Sequence, residues 1–283
     1  MSRNTSQTRV RNISIPNVWL WLSVFVSVMA IITSLLGIFF QKTYSREAEA
    51  WAVQAVGQDF ANLAVVALML VCTYYLSKKS LRAYLVWLGA FIYLVYAFAI
   101  YAFFIHFNFL FLVYVLILGL SFYTLIGGLM TADPTILSQS LLHNTKSKMA
   151  SALLMIIGIL FGSLWLSEIV PALLSNKIPS DLVETGLWVN PIHVLDLAFV
   201  LPGMIITSAL LWRKNLLGFL MAVPLLIFSA TMGMGIIATF IISVKYGMQV
   251  FFPAGIIVCL IILLSIYISY LFLKEVNENS GRA

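Results

Sequence analysis

Charged side chains are scarce in this chain. Asp, Glu, Lys and Arg together make up 9% of its 283 residues, against about a quarter in an ordinary soluble domain. That scarcity excludes a water-facing globular surface over most of its length. Cysteine is nearly missing too. Cys72 and Cys259 both lie inside apolar runs, where they read as small packing residues rather than a disulfide. No Walker A, G-x-S-x-G, C-x-x-C or H-E-x-x-H motif occurs, and no apolar run carries an Arg ladder. Those absences speak against a self-powered nucleotide-driven pump, a nucleophile-elbow hydrolase and a voltage sensor. No haem-type pair of His residues faces inward from the runs. No segment outside the apolar runs is long enough to fold as a separate domain.

What is present is hydrophobic length. Apolar residues are 62% of the chain and the mean hydropathy is +1.04. The runs are about 20 residues long, the length that crosses a bilayer as a helix, and they do not alternate as barrel strands do. The expected fold is all-α: a polytopic transmembrane helical bundle of eight spans, one integral membrane domain over residues 1–283. The spans are placed at about 18–40, 57–76, 83–105, 109–130, 149–173, 191–212, 216–243 and 250–273. The first is too long for a signal-peptide core and no A-x-A site follows it, so it reads as an uncleaved span. The break His106-Phe107-Asn108 makes the third and fourth a tight hairpin.

The net charge of +6 reads as topology and not as nucleic-acid binding. Twelve basic residues fall on one side of the alternation: Arg3, Arg9, Arg11, Lys78, Lys79, Arg82, Lys146, Lys148, Arg213, Lys214, Lys274 and Arg282. Only Lys42, Arg46, Lys177 and Lys245 fall on the other. The positive-inside rule then puts both termini in the cytoplasm, for a protein of the plasma membrane. Between spans, Ser45 is a candidate cap for a helix-friendly stretch that includes Glu47, Glu49 and Trp51. Asp133-Pro134 and Asn190-Pro191 are cap-plus-proline starts. Asp181 and Glu184 have capping-box spacing. Trp87, Trp165, Trp188 and Trp212 lie near span ends and read as interfacial anchors.

The two halves share a layout. Span two starts at Asp59 and ends at Lys78-Lys79; span six starts near Asp196 and ends at Arg213-Lys214. This suggests a 4+4 duplication over residues 10–130 and 145–274, with parallel repeats because each crosses four times.

Ionisable and polar residues gather at the outer ends of spans. Gln58, Asp59 and Asn62 open span two, His106 and Asn108 sit in a turn, Glu168 closes span five, and His193 and Asp196 open span six. His193 and Asp196, three apart, share a helix face. Three readings compete. Each group can be a local satisfier of a helix end or turn. Asp59, Asn62, Glu168, His193 and Asp196 can line an outward-open cavity for a small solute, cation or proton. Or His106 and His193 with Asp196 can hold a divalent metal such as zinc or iron. Gly158-x-x-x-Gly162, Gly233-Met234-Gly235, Tyr93 and Tyr96 read as packing, and Pro202-Gly203 and Pro224 as helix kinks.

The run 108–121, the Gly57-Gln58-Asp59 start and the stretch 193–202 resemble prokaryotic multi-pass membrane proteins that bring no known activity with them. No residue role is carried over from that likeness. The expectation is therefore a small-solute or ion-coupled transporter embedded in the lipid bilayer. The alternatives are a metal-dependent membrane-embedded enzyme at the same site, or a non-catalytic subunit or sensor.

Overall fold

A computed structural model describes residues 13–277; Arg3, Arg9, Arg11 and Arg282 lie outside the described residues. The described chain is helical, with no strand. Its helices are α1 (Asn17–Phe39), α2 (Glu49–Ser77), α3 (Leu81–Phe104), α4 (Phe111–Thr131), α5 (Pro134–Leu141), α6 (Ser147–Leu174), α7 (Ser180–Thr185), α8 (Pro191–Leu195), α9 (Leu201–Trp212), α10 (Leu216–Lys245) and α11 (Phe252–Lys274). A π-helical turn, Asp196–Val200, joins α8 to α9. Eight helices are long and apolar enough to cross a membrane, with α8, the π turn and α9 forming the sixth span, Pro191–Trp212. The chain is thus a multi-pass membrane protein. Large apolar side chains such as Trp21, Leu112, Phe199 and Leu263 stand exposed on the spans, as lipid requires.

The span boundaries follow local chemistry. The side chain of Ser80 caps α3, that of Asp133 caps α5 and that of Asn215 caps α10, each accepting a backbone N–H of the first turn. Asn190 accepts from the N–H groups of Ile192 and His193, and Pro191 fills the first helical position, as expected. Two other caps are not formed. Helix α2 begins at Glu49 behind Ala48, while the Ser45 hydroxyl donates to the Lys42 carbonyl instead. Pro179, not Asp181, precedes α7, and Asp181 accepts from Asn190 Nδ2 at 2.9 Å. The second span consequently starts two turns earlier than hydropathy alone suggests. The kink expected at Pro202 appears just before it. Proline has no N–H to give the preceding turn, and the Leu201 N–H bonds to the Asp196 carbonyl, five residues back.

Helix α3 is the core of the bundle: Tyr84, Leu85, Trp87, Leu88, Phe91, Tyr93 and Leu94 are fully buried. Close approach to α10 depends on glycine. A side chain at Gly89 would meet the Pro224 carbonyl at 2.7 Å, and one at Gly57 of α2 would meet the Thr239 Cα at 2.5 Å. Gly158 serves α6 against Ile205 in the same way. Beside it, Ser151 and Ser208 donate to each other's backbone carbonyls at 3.0 and 2.8 Å, a small-residue seam of the membrane type. Trp87 is not an interfacial anchor. It is wholly buried, and its indole N–H donates to Ser23 at 2.9 Å. Trp188 and Trp212 are largely exposed.

The first four spans form a ring in which span one touches two and four, and span three touches two and four. Spans five to eight form a ring with the same neighbour order. The rings meet where α10 packs on α2 and α3 and where α3 touches α8.

The two ends of the bundle are tied differently. At the end opposite the Lys- and Arg-rich turns, Glu47 accepts from the His106 N–H at 2.7 Å and contacts His106 Nδ1 at 2.8 Å. There the Asn108 amide also donates to the Thr43 carbonyl. At the basic end, Glu275 accepts from the N–H and the hydroxyl of Thr145, both at 2.7 Å, with Lys146 Nζ 3.7 Å away. These donors hold the Glu275 carboxyl below the ordinary glutamate value. The latch is therefore complete above the usual glutamate range and is lost as pH falls through the lowered value. Hydrogen exchange at the Thr145 amide is expected to accelerate, beyond its intrinsic change, between neutral pH and about pH 3. Unchanged protection over that range would show that the carboxylate does not hold this turn.

Candidate functional site

One buried and one half-buried carboxylate lie within the spans, and α3 holds both. Asp59, 1% exposed on α2, accepts from the Tyr44 hydroxyl at 2.6 Å and the Tyr101 hydroxyl at 2.9 Å. Ser34 of α1 faces the same carboxylate. Gly37 leaves room for it: a Cβ there would sit 1.9 Å from Asp59 Oδ2. No Lys, Arg or His pairs with Asp59 among the described residues. Its hydrogen bonds come from neutral hydroxyl groups alone.

The network runs onward with one direction. Gln58 Nε2 donates to the Tyr93 hydroxyl, which donates to Asn62 Oδ1 at 2.9 Å. Asn62 Nδ2 reaches the Tyr101 hydroxyl at 3.3 Å, and Tyr101 donates to Asp59. Every donor points toward the carboxylate. The Tyr101 hydroxyl also has a second acceptor, the Ala55 carbonyl at 3.3 Å. A protonated Asp59 could then give its hydrogen to Tyr101 while Tyr101 turns to Ala55, so the cage accommodates both protonation states.

Asp196 opens the π turn. Tyr96 of α3 donates to its Oδ1 at 3.0 Å and the Trp165 indole N–H of α6 to its Oδ2 at 2.9 Å. The ring of His193 lies 4.6 Å from the Trp165 ring, and His193 Nε2 is 3.6 Å from Glu168 Oε2. Asp196 thus joins spans three, five and six.

A cavity of about 1140 Å³ lies between the two rings of spans. Its wall includes Gln58, Tyr96, Tyr101, Trp165 and Asp196, and Glu49, Asp181 and Glu184 stand toward its mouth. These acidic positions lie at the end opposite the basic turns. The deepest part reaches Phe228, about 25 Å along α10 from Lys245 at 1.5 Å per residue. No Lys, Arg or His lines it among the described residues.

The candidate residues fall into separate places. Asp196 is on the cavity wall. Asp59 and Asn62 lie behind it, reached through Gln58 and Tyr101. Glu168, half exposed, and His193 stand outside it as a pair. His106 is engaged by Glu47 in its turn. Among the described residues no three His, Cys, Asp or Glu side chains converge as a metal ion would need. The residues that sequence reasoning passed over are aromatic. Trp165 is not merely an anchor, nor Tyr93 and Tyr96 merely packing, because their polar tips serve the buried polar groups. The available signal was three tyrosines, Tyr93, Tyr96 and Tyr101, within one apolar span, where each hydroxyl needs a partner.

No protein-family model, curated protein or solved structure matches the chain, so the likeness to prokaryotic multi-pass proteins identifies no family.

Replacing Tyr101 by Phe removes a donor to Asp59 and an acceptor for Asn62 at a buried site. The expected loss is about 1–3 kcal/mol of stability, read as a lower melting temperature in detergent. A change under roughly 0.5 kcal/mol would show that the cage is not strained by losing this hydroxyl.

Proposed function

We propose that the chain is a small-solute carrier, with the central cavity as the solute site, Asp196 as its charge-recognising group and Asp59 as the group that couples uptake to a proton. The observation that carries the reading is the position of Asp196. An ionisable residue at membrane depth is costly unless it is used, and this one sits on the wall of a solute-sized cavity between two half-bundles. Transporter sites lie at such interfaces. The π turn at Asp196 adds support, since such turns gather at functional sites.

Tyr101 supports coupling, because its residue lines the cavity and its hydroxyl, which can exchange a proton, donates to Asp59; the Gln58, Tyr93 and Asn62 side chains orient it. The matching neighbour order of the two rings supports a 4+4 duplication with a pseudo-two-fold along the membrane normal. The distribution of Lys and Arg supports cytoplasmic termini and a cavity mouth facing outward from a plasma membrane.

Proteoliposomes loaded with a mixed extract of small solutes test the carrier reading. Wild-type vesicles are expected to lose at least one solute that Asp196→Asn vesicles retain, with Asp59→Asn weakening its dependence on a pH gradient. Identical solute profiles for wild type and Asp196→Asn would overturn it.

A further inference from the structure

We infer that the cavity selects a hydrophobic organic cation: a bulky monocation with an aromatic or aliphatic body. The inference names the substrate class of the carrier proposed above and rests on that reading.

Charge comes first. The ionisable carboxylates on the lining are Glu49, Asp181, Glu184 and Asp196, and no basic side chain opposes them among the described residues. The first three stand near the mouth, where they raise the local concentration of cations. Asp196 is deeper. Tyr96 and Trp165 each occupy one of its oxygens, and a carboxylate has about four acceptor positions, so it retains capacity for a ligand while its rotamer is fixed.

The wall decides which cation. Trp51, Phe161, Trp165, Phe228 and Phe240 line the cavity. Aromatic faces attract a diffuse cation, and Met232, also on the wall, is adaptable to varied shapes. An inorganic ion needs several oxygens to replace its hydration shell, and no three acidic, His or Cys groups converge among the described residues. An organic cation sheds a weaker shell and takes up apolar contacts in exchange. The volume of about 1140 Å³ lies just above the range of about 300–1,000 Å³ usual for ligand pockets, room for a multi-ring body. An anion would meet four carboxylates and no basic side chain among the described residues, and a neutral solute would leave Asp196 without a counter-charge.

Two probes of equal shape and opposite charge test this: tetraphenylphosphonium and tetraphenylborate, titrated against the purified full-length protein in detergent and followed by tryptophan fluorescence. The phosphonium is expected to bind wild-type protein about tenfold or more tighter than the borate. Asp196→Asn should lose that preference, even where its melting temperature falls because one of the two acceptor oxygens is gone. Equal binding of the two ions to wild-type protein, or no saturable binding of the phosphonium, would overturn the inference even if Asp196→Asn does not fold. The carrier reading fails separately, on identical solute profiles in the mixed-extract vesicles, because that experiment makes no assumption about solute charge.

Discussion

A carboxylate away from water must find donors, and in this bundle the donors come from one helix. Tyr96 and Tyr101 on α3 hold Asp196 and Asp59. They are five residues apart, about 7.5 Å along the axis and about 140° around it, so one buried helix reaches a carboxylate in each half of the chain. Most of the remaining architecture keeps α3 in that position. Trp87 is tied to Ser23 of α1, Gly89 lets α10 lie against it, and the Glu47–His106 contact secures the turn after it.

The constraint explains the division of labour between the carboxylates. Asp59 is sealed by Tyr44, Tyr101 and the close backbone of Gly37. Nothing as large as a solute reaches it, and the group standing between it and the cavity is the Tyr101 hydroxyl, which belongs to a residue of the wall and donates to Asp59. Asp196 is fixed by two donors yet faces the cavity. The two share α3, so one helix supplies a hydroxyl to each. In the carrier reading proposed above, that shared helix is the link between a proton on Asp59 and a solute at Asp196.

Much of the fold was legible in the sequence, since a bilayer imposes length and hydrophobicity on every span and leaves Gly, Pro, Asn and Lys as punctuation. Asn190-Pro191 marked a helix start, and the alternation of basic turns fitted eight crossings. The site was legible only in part. Asp59, Asn62 and Asp196 stood out because charge and amides are rare at depth. Their partners did not, because a phenol or indole scores as apolar and its hydrogen bond depends on which helix faces it. Trp87 and Trp165 occupy similar places near span ends as Trp188 and Trp212, and only packing separates core from surface. Hydropathy also started span two late, because Glu49 and Gln54 look like loop residues until the cavity they face is known.

The central claim is that water and solute reach the middle of the bundle from the end opposite the basic turns. Ser229, on the cavity wall in α10, tests it with little change of shape. Cysteine is introduced as Ser229→Cys in a Cys72→Ser, Cys259→Ser background, and a membrane-impermeant thiol reagent is applied to each side of oriented vesicles. The account predicts labelling when the reagent is applied at the Glu49 and Glu184 end. A thiol at this position that stays unmodified from that end, in protein that melts like wild type, would contradict the account.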